Sequence, residues 1–319
     1  MYKLYNYLID NPNHYNDIYE LDISNLNNEY KQKYIDILNK FNNLTSLICF
    51  KCYNITDKNI EKLINLKNLN CFGCCNITNK SIEKLINLKN LNCFGCYNIT
   101  DESIEKLINL TNLYCSWDDT NINKNYDYQK IMDYDCIKFE NYYCKKITDK
   151  SISKLINLTT LNCSYCCNIT DKSIKKLIKL TNLNCSYCYN ITDKSIKKLI
   201  NLLNLNCSGC NNITDKSIKN LFNLTNLKFS EHNNITSHII EKLPKLINLD
   251  CSNNKHITDK YIEKLINLSN LNCSECINIT DKGINKLNKL VNLDCSYCDK
   301  ITDISIKKLC NLINLKKLF

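Results

Sequence analysis

The stretch Leu183–Leu224, LNCSYCYNITDKSIKKLINLLNLNCSGCNNITDKSIKNLFNL, contains nearly the same segment twice. Each copy runs Leu-x-Cys-x-x-Cys, with the cysteines at Cys185/Cys188 and Cys207/Cys210, then Ile-Thr-Asp and Ser-Ile-Lys. Working outward, the first leucine recurs every 22 residues at Leu47, Leu69, Leu91 and Leu113, and again from Leu161 through Leu205, Leu227, Leu249, Leu271 and Leu293 to Leu315. Phe139 holds the anchor of a degenerate copy in the interval between. Upstream, Ile18, Leu21, Ile23 and Leu26 fit the same template with a longer spacer. About fourteen units account for nearly the whole chain.

The periods within a unit assign its parts. Leu69 and Cys71 alternate as strand residues with one buried face. Thr78, with Ser81 three residues on, offers a helix N-cap. Ile82, Leu85 and Ile86 then follow at helical spacing. A single unit cannot bury enough apolar surface to offset the entropy of ordering it, so units must stack and share faces.

The full template is Leu-x-x-Leu-x-Cys-x-x-Cys-x-x-Ile-Thr-Asp-x-x-Ile-x-x-Leu. It resembles the leucine-rich repeat of the cysteine-containing type found in F-box/leucine-rich-repeat proteins. The resemblance implies an α/β fold, a right-handed horseshoe solenoid with parallel strands on the concave side and short helices on the convex side. Residues 1–43 read as an N-terminal capping region with a first divergent repeat, and residues 44–319 as the solenoid, broken by an irregular segment at 115–144. The same resemblance implies, as an alternative function, a substrate adaptor for ubiquitin ligation with ligase components as partners. That role needs an F-box, and residues 1–43 carry no Leu-Pro start or three-helix pattern.

Composition narrows the function classes. The chain has no Ala, no Arg and one Val, a palette consistent with an AT-rich genome. All 42 basic residues are therefore Lys, against 32 acids, for a net charge of +10. Nucleic acid is not the expected partner, because the bidentate side chain suited to phosphate and guanine is missing. No apolar run reaches the roughly 20 residues of a membrane span, so no membrane partner is expected either. Twenty-three cysteines without an apolar leader point to a reducing, cytoplasmic compartment (a host cytoplasm if the chain is viral).

Eight Cys-x-x-Cys pairs raise the question of zinc. An extended pair would hold its Cα atoms roughly 10 Å apart, too far to chelate one ion without a tight knuckle, and no Gly-rich turn separates the pairs consistently. The repeats also exchange the position freely: Phe229 replaces the first cysteine in one copy, Asn254 the second in another. The cysteines therefore read as wall material; a zinc-binding protein is the third reading. No nucleophile, phosphate loop or carboxylate pair rises above the repeat background, so neither enzyme activity nor a cofactor is expected.

The remaining signal lies between the buried residues, on side chains expected to face the concave side. Phe72 and Phe94 are predicted as adjacent exposed aromatics, as are Tyr165 and Tyr187, flanked by Asn162 and Asn184. Gly209 follows Tyr187 at the equivalent position and predicts a gap beside it. Tyr297 holds that position near the far end, and Trp117, the only Trp, opens the irregular segment. Exposed aromatics among Asn and Ser suit protein recognition. Lysines such as Lys175, Lys176, Lys197 and Lys198 crowd the convex side, as a solvated face or a basic stripe for an acidic protein or anionic surface. The expected function is a non-catalytic scaffold that binds a protein on its concave face.

Overall fold

The computed structural model describes residues 2–116, 146–231, 234–240 and 242–317. They fall into two compact units, Met1–Ile169 and Thr170–Phe319. In the first unit β1 (Glu20–Asp22), β2 (Ser46–Ile48), β3 (Asn68–Asn70), β4 (Asn90–Asn92), β5 (Asn112–Tyr114) and β6 (Thr160–Asn162) pair in parallel, each with the next. The second holds β7 (Asn182–Asn184), β8 (Asn204–Asn206), β9 (Asn226–Lys228), β10 (Asn248–Asp250), β11 (Asn270–Asn272), β12 (Asn292–Asp294) and β13 (Asn314–Lys316), also parallel in chain order. In both units the anchor leucines lie opposite one another, Leu69 against Leu91 and Leu183 against Leu205. β5 pairs directly with β6, so the 48-residue interval leaves the sheet unbroken there.

Register follows from burial. One repeat places Leu69, Cys71, Cys74, Ile77, Ile82, Leu85 and Leu88 in the core, none more than 2 % exposed. A slip of one residue would exchange these for Asn and Lys, so the pairing is strongly specified. Helix Tyr2–Asp10 ahead of β1 and helix Asn28–Ile37 after it bury Leu8, Tyr34, Ile35 and Ile37.

The helices of the repeats are single turns. Asn79–Ile82 is capped by Thr78, whose side chain accepts from the Lys80 amide, and the same device recurs at Thr192 and Thr214. Four residues are too few for a helix to persist alone. What holds each turn is its neighbour. The Asp57 carboxylate accepts from the Thr78 amide (2.9 Å), the Thr78 hydroxyl (2.7 Å) and the Ser81 hydroxyl (2.5 Å) of the next repeat. Asp101, Asp171 and Asp281 do the same for Thr148/Ser151, Thr192/Ser195 and Thr302/Ser305. The Ile-Thr-Asp motif is thus a ladder between repeats rather than a local cap alone. The expected helical stripe through Ile86 is not formed. The helix stops at Ile82, Leu85 is buried, and Ile86 is 53 % exposed, because 22 residues must also return the chain to the next strand.

Candidate functional site

Each Cys-x-x-Cys closes a turn. The Cys52 amide donates to Cys49 O (3.0 Å), Cys74 to Cys71 O (2.9 Å), Cys188 to Cys185 O (3.0 Å) and Cys210 to Cys207 O (3.0 Å). Such a bond brings the first and fourth Cα atoms within about 7 Å, so the expectation of an extended pair about 10 Å apart is corrected. The turn's third residue is left-handed in every described copy. Gly73, Gly95 and Gly209 take φ of 73°, 76° and 70°, and Lys51, Tyr165, Tyr187, Glu231, Asn253, Glu275 and Tyr297 take φ between 53° and 60°. Positive φ places these side chains off the regular strand alternation, at the open edge of the sheet face.

The thiols are spent on the stack. Cys74 Sγ donates to Cys49 O (3.1 Å), and Cys96 Sγ to Cys71 O (3.0 Å). In the second unit Cys210, Cys276 and Cys298 donate likewise to the carbonyls of Cys185, Cys251 and Cys273. Burial pushes the Cys52 thiol up to about 12 and that of Cys295 up to about 11. Both members of each pair are buried, and no group of three His, Cys, Asp or Glu among the described residues is arranged to hold a metal.

On the open side of the strands, the first Asn of each Asn-Leu-Asn forms a second ladder. Asn90 Nδ2 donates to Asn68 Oδ1 and Asn112 to Asn90 in the first unit; Asn204, Asn226, Asn248, Asn270 and Asn292 continue the pattern in the second. This amide row was not anticipated from the sequence, although its signal, the same Asn recurring before each anchor leucine, was present. The second Asn serves the turn instead. Asn184 Oδ1 accepts from the Ser186 amide (3.1 Å) and hydroxyl (2.9 Å), and Asn162 Oδ1 from those of Ser164 (3.1 and 3.0 Å).

The expected recognition residues divide accordingly. Phe72 and Phe94 are adjacent, ring centroids 5.1 Å apart, but are corrected to core: they are 7 % and 3 % exposed, in a row begun by Phe50, 4.5 Å from Phe72. Asn162 is also corrected, at 1 % exposure and engaged with Ser164. Tyr165, in the first unit, and Asn184 and Tyr187, in the second, are half-buried. Tyr297 is 49 % exposed. The gap expected beside Tyr187 is filled by Tyr187 itself. A Cβ built on Gly209 would lie 2.6 Å from Tyr187 Cδ1, and the Tyr187 hydroxyl donates to Glu231 Oε2 at 2.8 Å. Trp117 and most of the irregular segment lie outside the described residues.

No protein-family model matches the chain, and no curated protein matches it. Solved structures do. The internalin InlF of Listeria monocytogenes matches 87% of this chain and 81% of its own at 20% identity, with a TM-score of 0.56. The leucine-rich-repeat protein LIC12759 of Leptospira interrogans covers 87% of this chain and 69% of its own, at 21% identity and a TM-score of 0.52. A chain from the yeast Rad7–Elc1 complex covers 86% and 75%, at 20% identity and 0.52. At these identities the likeness is one of fold, and this chain has the α/β leucine-rich-repeat solenoid fold with cysteine-containing repeats.

Proposed function

We propose that the chain is a non-catalytic recognition module that binds a protein on the open side of its strands, with Tyr187 and Tyr297 among the contact residues in the second unit and Tyr165 in the first. One observation carries this reading. Buried positions keep Leu and Ile, and in most copies Cys, whereas the left-handed turn position on the open side changes: Tyr187, Gly209, Glu231, Asn253, Glu275, Tyr297. A surface of half-exposed amides with Tyr at intervals offers hydrogen bonds and rigid aromatic area at small entropic cost. The yeast Rad7–Elc1 complex is a precedent for a chain of this fold solved with another protein.

The test is capture of partners from the native cell extract by the whole chain, identified by mass spectrometry and then measured individually. Tyr165→Ala and Tyr187→Ala together are expected to weaken the captured partner at least tenfold, about 1.4 kcal/mol. Lys175→Gln with Lys176→Gln should leave it bound. Retention by the tyrosine variant and loss by the lysine variant would move recognition to the opposite side and overturn the reading. Enrichment of cullin components would favour the ubiquitin-ligase adaptor instead.

A further inference from the structure

The two units differ sharply in charge. Met1–Ile169 carries 19 Lys against 19 Asp and Glu, while Thr170–Phe319 carries 23 Lys against 13, so the whole excess of +10 sits in the second unit. The difference has a structural origin just after the single-turn helices. In three copies of the first unit that position is Glu61, Glu83 and Glu105 (the fourth has Ser153), each glutamate paired with a lysine of a later repeat: Lys84 (2.7 Å), Lys106 (2.5 Å) and Lys154 (2.7 Å). In the second unit three consecutive copies place Lys175, Lys197 and Lys219 there instead. All three are exposed, and among the described residues none forms an ion pair. The nearby Asp171, Asp193 and Asp215 are committed to the hydroxyls of Thr192, Thr214 and Thr236.

Three residues further on, the same copies expose Ile178 (57 %), Ile200 (56 %) and Phe222 (56 %). These form one row, because Asn201 Nδ2 donates to Ile178 O (3.1 Å) and Asn223 Nδ2 to Ile200 O (3.4 Å). Apolar side chains more than half exposed stand out from the surface rather than line a groove, so they do not suit an inserted helix. Unpaired lysines alone would suit any polyanion, but a polyanion gains nothing from the apolar row. A planar anionic interface uses both: the charges meet acidic headgroups and the apolar row enters the headgroup–acyl boundary.

We propose that Lys175, Lys197 and Lys219 with Ile178, Ile200 and Phe222 form a peripheral docking face for an anionic lipid surface. No described helix is long and apolar enough to cross a membrane, and a peripheral face needs none. The expectation of no membrane partner rested only on the missing span.

The test is co-sedimentation of the whole chain with phosphatidylcholine vesicles, with and without 30 mol% phosphatidylserine (about that fraction gives a strongly negative surface). Binding is expected only with phosphatidylserine, and it should weaken as salt is raised. Lys175→Glu/Lys197→Glu/Lys219→Glu, which restores the acid found in the first unit, should weaken it at least tenfold, and so should Ile178→Ser/Ile200→Ser/Phe222→Ser. Ile64→Ser/Ile86→Ser/Ile108→Ser, at the equivalent exposed positions beside the paired glutamates, should leave it intact. All three variants should melt like the parent, since the altered side chains lie outside the core. No binding to phosphatidylserine vesicles at low salt would overturn the proposal. Binding that survives the Ile178/Ile200/Phe222 variant would equally do so, reducing the face to a nonspecific cation surface of the kind RNA or an acidic protein would share.

Discussion

The Tyr187 hydroxyl donates to Glu231 across the repeat that holds Gly209, so one side chain ties three consecutive copies together on the open face. The absence of a Cβ at Gly209 is what lets the ring lie down. Gly209→Ala should therefore cost about 1–2 kcal/mol, from the left-handed φ of 70° and from displacing the ring. Repeating Gly209→Ala in a Tyr187→Ala background should cost measurably less, because only the backbone penalty remains. Equal costs in urea titrations of both backgrounds would mean that the ring and the glycine are uncoupled.

Glu275 isolates the backbone part of that effect. It is exposed, takes φ of 60°, and donates its amide to Ser296 O at 2.9 Å. Glycine accepts this conformation freely, an L-residue at a cost of about 1–2 kcal/mol, and a β-branched residue at more. Glu275→Gly should leave stability unchanged or raise it by up to about 1 kcal/mol, and Glu275→Val should lower it by about 1 kcal/mol or more. Chemical denaturation distinguishes the two directions, and a harmless Val would exclude a left-handed turn here.

The inter-repeat aspartates set the acid limit. Burial opposes ionisation at Asp57, Asp101 and Asp281, but hydrogen bonds from the next repeat's Ser and Thr outweigh it and hold the carboxyls below the usual carboxylate range. A depressed folded value means the unfolded chain binds more protons. The stabilisation is therefore complete above the unfolded value, near pH 3.9, and is lost as pH falls through the folded one. Asn79 already fills the same role without a charge, accepting from the Thr100 amide (2.9 Å) and the Ser103 hydroxyl (2.7 Å). Asp57→Asn/Asp101→Asn/Asp281→Asn should thus fold and show a shallower loss of stability between about pH 4 and 2 than the parent. An unchanged acid limb in circular dichroism would remove these carboxylates from the account.

Most of the architecture was legible because its signals were periodic. The anchor leucines, the cysteine walls and the Thr caps recur at 22 residues within each run, and the anchors from Leu47 to Leu293 are buried as the pattern requires, while Leu315 in the last strand is 45 % exposed. What was not legible depends on contacts between copies. Strand alternation breaks at Cys71, where the chain turns, so Phe72 does not inherit the outward direction its parity suggests; Phe50 and Phe94 on either side cover it. Gly209 read as a gap because nothing in the sequence says which neighbour leans over it. The Asp–Thr–Ser ladder was read as a cap because its partners lie 21 and 24 residues apart.

Thiol chemistry gives the last test. Cys185 and Cys207 are fully buried, and burial pushes the Cys207 thiol well above its ordinary range, so little thiolate exists there at neutral pH. Cys167 and Cys310 are exposed. A thiol reagent should therefore label Cys167 and Cys310 quickly in the native protein, and Cys185 and Cys207 only at the rate of unfolding. Cys207 Sγ also donates to Lys228 O across the strand gap at 3.5 Å. A serine oxygen, on a shorter bond, falls short of that carbonyl and leaves a hydroxyl poorly paired in an apolar wall. Cys207→Ser should cost about 1–3 kcal/mol, and Cys207→Val, apolar and of similar volume, should cost less. If Cys207→Ser were neutral and Cys207 labelled as fast as Cys310, the cysteines would line an accessible surface. They would then be available for the metal or redox chemistry that their buried, hydrogen-bonded arrangement argues against.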